Sequence, residues 1–255
     1  MDRRIDTAAE HRLPAGRGPA KWASPGRCRR GADSVADMSP VSHSEWDRPA
    51  DASSPHEGGF RAQIDISTTR GGPRYGELNE ELRRLMDLAR YACPPEELTE
   101  AMIAQVRALN ENLAKVQVDE WETPSGTRID LPSRGNLTLP PYVVTDGGPD
   151  GVIADVTFRP FHLGGNKAAH GGHIAVAFDD LGGLASALKV EGVTRTAYLT
   201  VGYRSLTPLD TPLQMRTWVE TLDGRKAFVK GTLHDGDRLC ADVDALFIAL
   251  KPGQP

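Results

Sequence analysis

The residues best suited to chemistry lie in the stretch 169–188, which opens with His170-Gly171-Gly172 and carries Asp179 near its middle. The first backbone N–H groups of a helix lack partners inside it, and the helix dipole adds positive potential there. Such a start can hold an anion or a polarised carbonyl oxygen. Asp179 follows Gly172 by seven residues, about two helical turns. A donor and a carboxylate on one helix face therefore indicate a chemical site.

The same stretch, 169–188, predicts one long helix that is apolar on almost every side. A helix that is apolar all round is buried, either in a protein core or in a membrane. This apolar run is too short to span a bilayer, and Asp179 and Asp180 interrupt it. We therefore expect a central helix that other elements wrap.

Alternating apolar and polar residues predict strands before and after this helix. One strand lies at 152–158, and four follow the helix near 197–206, 213–222, 226–234 and 238–250. Asp223-Gly224 and Asp235-Gly236 separate the last three strands and are strong hairpin signals. One twisted antiparallel sheet that curls round the helix would bury it without further helical layers. The predicted fold class is α+β.

Three regions precede this predicted domain, which we place at residues 152–255. Residues 1–71 are rich in Pro, Gly, Ser, Arg and Asp and predict a disordered tail, in which Met38 offers a second start. Residues 72–118 predict a helical hairpin extension, because apolar residues recur at helical spacing on both sides of Pro94-Pro95. Residues 119–151 predict a linker or loop with a short strand near 137–144.

The predicted hairpin has an apolar stripe on each helix. The stripes comprise Leu78, Leu82, Leu85 and Ala89, then Met102, Val106, Leu109, Leu113 and Val116. An apolar stripe needs a surface to cover it. We expect the two stripes to pack against each other or against the main domain, and the alternative is a helix that binds a partner.

The composition argues against several classes of protein. A formal net charge of −5 gives no support for nucleic-acid binding. The widely spaced Cys28, Cys93 and Cys240 favour neither a disulfide framework nor a zinc site. No stretch has the length and apolarity of a transmembrane helix, and the N-terminus lacks the apolar run of a secretory signal. We expect a cytoplasmic protein with no bound metal, no cofactor, no nucleic-acid partner and no membrane span.

The order of these elements, with His170-Gly171-Gly172 opening the helix and Asp179 within it, resembles the hotdog-fold acyl-CoA thioesterases. The most similar branch contains the phenylacetate-pathway thioesterases and the human thioesterase-superfamily proteins. Roughly residues 152–250 carry the likeness, which continues in the strand sequence at 196–204, in Pro208-Leu209 and in the last strand at 245–250. The resemblance implies a hotdog fold, in which a long central helix is wrapped by a curved antiparallel sheet.

The resemblance also implies roles for individual residues. The N–H of Gly172 would bind the thioester carbonyl oxygen, and Asp179 of the facing subunit would act as general base or nucleophile. His170 would order the loop or contact the acyl group, and Thr196 would help to hold the attacking water. Gly171 and Asn166 are candidate substrate-binding residues, although close helix packing and loop ordering would also explain them. The implied substrate is an acyl-CoA, and the implied assembly is a homodimer or a homotetramer.

The spacing of the two central residues bears on the assembly. Residues seven apart in a helix lie about 10 Å apart along its axis. Gly172 and Asp179 of one protomer are therefore unlikely to reach the same thioester. An antiparallel helix from a second copy would bring the two groups together, so activity would require a dimer.

Other interpretations stay open from the sequence. Asp179 could be a buried carboxylate in a structural hydrogen-bond network. Asp180, turned about 100° away, would be a structural residue satisfied by a backbone group, or would exchange roles with Asp179. The leading hypothesis for the function is an acyl-CoA thioesterase. The alternatives are a non-catalytic hotdog protein that binds acyl-CoA or another apolar ligand, and a scaffold whose helical pair docks a partner. A hydratase of the same fold is a weaker alternative.

Overall fold

A computed structural model of the chain describes residues 66–251, so the predicted tail lies outside the described residues except for 66–71. The described part contains three long helices and eight strands. The helices are α1 (Tyr75–Tyr91), α2 (Glu96–Ala114) and α3 (Gly171–Ala187). The strands are β1 (Tyr142–Gly148), β2 (Gly151–Thr157), β3 (Leu163–Gly165), β4 (Ala168–Ala169), β5 (Thr194–Tyr203), β6 (Pro212–Asp223), β7 (Lys226–Asp235) and β8 (Arg238–Ala249).

Six of the strands form one antiparallel sheet in the order β1-β2-β6-β7-β8-β5. The two predicted hairpins are present. Gly224 and Gly236 occupy the turns between β6, β7 and β8 with φ of 57° and 56°, a conformation that glycine adopts without strain. Strands β1 and β5 are the two edges of the sheet. The predicted α+β hotdog architecture is therefore confirmed.

Helix α3 packs on one face of this sheet and contacts β2, β5, β6, β7 and β8. Its buried side chains include Ile174, Phe178 and Leu181. They meet inward-facing residues of the strands, such as Met215 and Phe247. Complete burial of a side chain of this size stabilises the fold by roughly 1.5–3 kcal/mol. The core thus holds the helix that carries the predicted site.

One stripe of α3 differs from the prediction of a helix buried on almost every side. Gly172, Val176 and Asp179 are exposed in the single chain. The sheet covers mainly the opposite face of the helix, and of β5 the side chain of Thr196 reaches Asp179 in this stripe. Asp179 is therefore not the buried carboxylate that the sequence suggested.

The helical extension also packs differently from the prediction. Leu78 and Leu85 of α1 are 41% and 40% exposed, and α2 has no buried residue at all. Helix α1 instead docks through a polar face. Asn79 Nδ2 donates to the Gly135 carbonyl (2.7 Å), and Arg83 Nη2 donates to the Asn136 carbonyl (2.7 Å). The helical spacing correctly placed Leu78 and Leu85 of α1 on one face. Another, polar face of α1 is the one that packs against the segment at residues 135–136.

Residues 119–141, predicted as a linker, fold into a compact segment between α2 and β1. Arg128 and Ser133 are buried within it. Ser133 Oγ donates to the Pro140 carbonyl (2.5 Å) and accepts from the Tyr142 N–H (3.0 Å), which fixes the entry to β1. The strand begins at Tyr142 rather than near residue 137. Among residues 66–251, no helix has the length and apolar character needed to cross a membrane.

Candidate functional site

The start of α3 is capped by the side chain of His170. The Gly172 N–H donates to His170 Nδ1 (2.9 Å), and the His173 N–H donates to the His170 carbonyl (3.0 Å). A cap of this kind satisfies donors that have no partner inside the helix. The N–H of Gly172, which the sequence analysis assigned to a thioester carbonyl oxygen, is thus already bound to the His170 side chain.

Asp179 and Thr196, two of the predicted site residues, lie in direct contact. Thr196 Oγ1 donates to Asp179 Oδ1 over 2.7 Å, and both residues are exposed. The pairing of β5 with β8 is irregular between Thr196 and Tyr198. An irregularity of this kind changes the direction in which side chains leave a strand. It lies directly beside the residue that reaches α3.

Asp180 is held in a separate cluster. Arg134 donates to both of its carboxylate oxygens, over 3.0 and 2.8 Å, and the Tyr142 hydroxyl also donates to it. Burial alone would lower the pKa of Arg134, but the ion pair with Asp180 raises it overall. Burial, followed by the nearby negative charge, raises the pKa of Tyr142. The partners of Asp180 are side chains, not the backbone group that the sequence analysis expected.

A pocket of about 580 Å³ opens beside the Asp179–Thr196 pair. We call it the site pocket. Its walls come from the second half of α3, the start of β5, β8 and the 119–141 segment, and they include Trp121, Gly183, Leu184, Ala187, Val193 and Phe247. The lining is mainly apolar apart from Arg134, Asp179, Asp180, Arg195 and the threonines. Clefts that are largely apolar with a few placed polar groups are typical of ligand sites.

The two candidate substrate-binding residues have structural explanations. The Gly171 carbonyl accepts a hydrogen bond from the Tyr203 hydroxyl (2.9 Å), and a Cβ atom at Gly171 would lie 2.8 Å from the Tyr203 ring. A side chain at this position would therefore require the exposed Tyr203 ring to shift. Asn166 is exposed with φ of 49° in the turn between β3 and β4, and it is not among the residues that line the site pocket.

A cluster of aromatic and histidine rings supports the start of α3 from below. The rings of His162 and His173 lie 4.8 Å apart, and His162 Nδ1 accepts the Arg159 N–H (2.8 Å). Burial, and then the neighbouring His173, lowers the pKa of His162 from 6.5 to about 4. Within residues 66–251, no three His, Cys, Asp or Glu side chains are grouped in a way that could hold a metal ion.

The buried His162 predicts acid sensitivity. Its pKa is lower in the folded chain than the unperturbed 6.5, so the unfolded chain binds the extra proton first, and stability falls as the pH drops from 6.5 toward about 4. Arg83 and His173 oppose protonation, whereas Asp87 favours it. At about pH 5.5 the expected loss relative to neutral pH is about 1 kcal/mol.

The variant His162→Asn should remove this loss, since Asn can still accept the Arg159 N–H but does not titrate. The measurement is the free energy of urea unfolding near neutral pH and at about pH 5.5. His234→Asn, on β7, is the matched control for the loss of a histidine, and the difference between the two variants isolates the contribution of His162. An unchanged pH dependence in His162→Asn would contradict the assignment.

The helix and strand that carry the Asp179–Thr196 pair are similar in sequence to known proteins. Residues 166–241, which include α3, Asp179 and Thr196, match the model of the thioesterase superfamily. This segment of the chain is therefore similar to that superfamily.

Two curated relatives are similar in sequence to part of this chain. The acyl-coenzyme A thioesterase THEM4 of Rattus norvegicus is 34% identical over 97 residues, or 37% of this chain and 41% of that protein. The acyl-coenzyme A thioesterase THEM4 of Xenopus laevis is 37% identical over 95 residues, or 36% of this chain and 42% of that protein. The match thus spans about two fifths of the length of these relatives.

A crystal structure described as a thioesterase superfamily protein superposes with a TM-score of 0.60 at 24% identity. The superposition covers 73% of this chain and 100% of that one. At this level of identity the likeness establishes the fold and nothing finer.

Sequence reasoning missed two residues of the site region. Arg134 and Tyr142 hold Asp180 from 46 and 38 residues away along the chain. Neither residue lies in a motif that the sequence analysis could have used. The only available signal was Asp180 itself, a carboxylate in an apolar helix, which requires a partner.

Proposed function

We propose that the chain is an acyl-CoA thioesterase, which hydrolyses a fatty or aromatic acyl-CoA to the free acid and CoA. The observation that carries the proposal is the Asp179–Thr196 pair in the lining of the site pocket. The pair lies in the segment that matches the thioesterase superfamily model, and the curated relatives are named as acyl-coenzyme A thioesterases.

The carboxylate of Asp179 suits the role of general base. Water is a poor nucleophile, and a carboxylate within hydrogen-bond reach can accept its proton as it attacks. Thr196 holds one carboxylate oxygen, Oδ1, and leaves Oδ2 for the water. The water oxygen adds to the thioester carbonyl carbon, the C–S bond then breaks, and the CoA sulfur leaves as a thiolate that takes up a proton. Asp180 is unsuited to this role because Arg134 and Tyr142 already occupy its carboxylate.

The carbonyl oxygen gains negative charge in the transition state and requires a fixed donor. The N–H of Gly172 is such a donor, once the oxygen replaces His170 Nδ1 as its acceptor. Removal of one donor of this kind typically costs about 3–4 kcal/mol of transition-state stabilisation.

We propose that the complete site forms between two copies of the chain, as a homodimer or a pair of dimers. The uncovered stripe of α3 contains both Gly172 and Asp179, which lie about 10 Å apart along the helix axis. An antiparallel second α3 would place its Gly172 opposite this Asp179. Strand β5, beside the site pocket, is a sheet edge whose free backbone groups can pair with another strand.

Mixing two inactive variants tests the shared site. Gly172→Pro removes the N–H donor at a first-turn position that tolerates proline, and Asp179→Asn removes the base. A mixed dimer would contain one site with both lesions and one intact site. We expect activity to reappear when the two variants are unfolded together and refolded, but not when each is refolded alone. If the mixture stays as inactive as its components, both groups act within one protomer.

The test of the function itself is the release of free thiol from a panel of short, long and aromatic acyl-CoAs. Turnover of at least one of them is expected. A non-catalytic acyl-CoA-binding protein is the second candidate, which the occupied Gly172 N–H favours. A rise in melting temperature with a non-hydrolysable thioether analogue, without turnover of any thioester, would support that candidate instead.

We also propose that the protein is cytoplasmic. The support comes from its cysteines, because Cys93 is exposed and Cys240 is buried, and both are free thiols. Unpaired cysteines suit a reducing compartment. Fractionation of the source cells should place the protein with cytoplasmic markers, and recovery with secreted protein would contradict this location.

A further inference from the structure

A second concave surface lies across α3 from the edge strand β5. We call it the extension groove. It has a volume of about 450 Å³ and is lined by Ile129, Leu131, Val143, Val144, Leu184 and Leu188, among others. Four of these side chains are well exposed: Ile129 (50%), Val143 (54%), Val144 (43%) and Leu188 (51%). Exposed apolar side chains that converge on one concavity mark a binding surface.

The charged groups in the lining of the groove are already paired. Asp130 accepts two hydrogen bonds from Arg128, both 2.7 Å, and Arg134 is bound to Asp180. The Tyr142 hydroxyl is bound within the same cluster. The lining therefore leaves no charge available to a polar ligand, and its chemistry favours a hydrocarbon.

The groove adjoins the site pocket. Both are lined by Arg134, Leu184 and Ala187. Along α3, Leu184 lies five residues beyond Asp179 and Leu188 lies nine residues beyond it. These separations correspond to roughly 8 and 13 Å along the helix axis. A hydrocarbon chain that starts at Asp179 and follows α3 thus reaches the shared lining at Leu184 and then the groove residue Leu188.

We propose that the extension groove binds the far end of a long acyl chain, so that it sets a preference for long over short acyl-CoAs. The inference about turnover rests on the proposed thioesterase function, whereas binding of a hydrocarbon chain does not. Residues 129–144, which form most of the groove, lie outside the segment that matches the superfamily model. The groove is therefore built mainly from residues that precede the matched segment.

Filling the groove tests the proposal. Val144 lies on the edge strand β1, where tryptophan is well tolerated, so Val144→Trp adds bulk inside the groove. We expect kcat/KM for palmitoyl-CoA to fall about tenfold, equivalent to about 1.4 kcal/mol. The value for hexanoyl-CoA, which ends within the site pocket, should stay unchanged. Leu222→Trp, also exposed on a strand but outside the site pocket and the extension groove, should change neither value.

A direct binding measurement separates this proposal from the proposed function. Titration with a fluorescent long-chain fatty acid should give a Kd that is about tenfold weaker for Val144→Trp than for the wild type. If no acyl-CoA is hydrolysed but this weakening is seen, the thioesterase proposal fails and the groove assignment stands. Ile129→Ser, which removes apolar lining without adding bulk, should weaken fatty-acid binding as well and serves if the tryptophan variant does not fold.

Three results would overturn the proposal. The first is an unchanged ratio of palmitoyl-CoA to hexanoyl-CoA turnover in a folded Val144→Trp variant. The second is a wild-type protein that binds no long-chain fatty acid. The third is a change in the oligomeric state of Val144→Trp, measured by sedimentation, without any change in chain-length preference. That result would mean that a second copy of the chain covers the groove.

Discussion

Replacement of Asp179 by Asn is expected to lower kcat for acyl-CoA hydrolysis at least about a hundredfold, the scale typical of a lost general base. Asn has the size of Asp and can still accept the hydrogen bond from Thr196. It cannot accept a proton from water at neutral pH. KM should change little, because the substitution leaves the apolar walls of the site pocket intact.

The design of this experiment depends on its controls. Asp155→Asn changes an exposed carboxylate on β2 outside the site pocket and should leave kcat unchanged. Thr196→Val removes one hydrogen bond to the base, and a loss of up to about tenfold is expected because such bonds are typically worth about 1 kcal/mol. Wild-type turnover in Asp179→Asn, with an unchanged melting temperature, would mean that another group activates the water.

The residues on α3 could be predicted because their relation is local. A helix places residues seven apart on nearly the same face, so the sequence alone predicts that Gly172 and Asp179 share a face of α3. The alternation of apolar and polar residues and the Asp-Gly turns likewise predict most of the strands and both hairpins of the sheet. Thr196 is different, because its contact with Asp179 joins two elements, and only the family resemblance suggested it.

The cluster around Asp180 shows where sequence reasoning fails. Arg134 reaches Asp180 because the backbone of the 119–141 segment turns sharply at Ser133 and Arg134, with φ of 51° and 53°. Residues other than glycine rarely adopt this conformation, so their types give no warning of it. The docking of α1 through Asn79 and Arg83 is similar, since polar residues on a helix normally predict its solvent face.

The second large effect is expected for Arg134→Met, which should lower the free energy of unfolding by about 2–3 kcal/mol. Removing one partner of a largely buried ion pair leaves the other charge uncompensated. The side chains of Arg134 and Asp180 are each 21% exposed, so water relieves part of the penalty. Among the described residues, Asp180 would retain only Tyr142 as a partner. Urea unfolding at neutral pH measures the loss, and Arg84→Met, an exposed arginine of α1, should show almost none.

The double variant Arg134→Met with Asp180→Asn decides whether the loss comes from the unpaired charge. Asn can keep a hydrogen bond with the Tyr142 hydroxyl and carries no charge. If the ion pair is the cause, the double variant should be more stable than the sum of the single changes predicts, by about 1 kcal/mol or more. Strict additivity would mean that Arg134 acts through its packing between the site pocket and the extension groove instead. In either case Asp179 should keep its contact with Thr196, so the folded variants should still hydrolyse short acyl-CoAs. Such turnover would separate the structural role of Asp180 from the catalytic role proposed for Asp179.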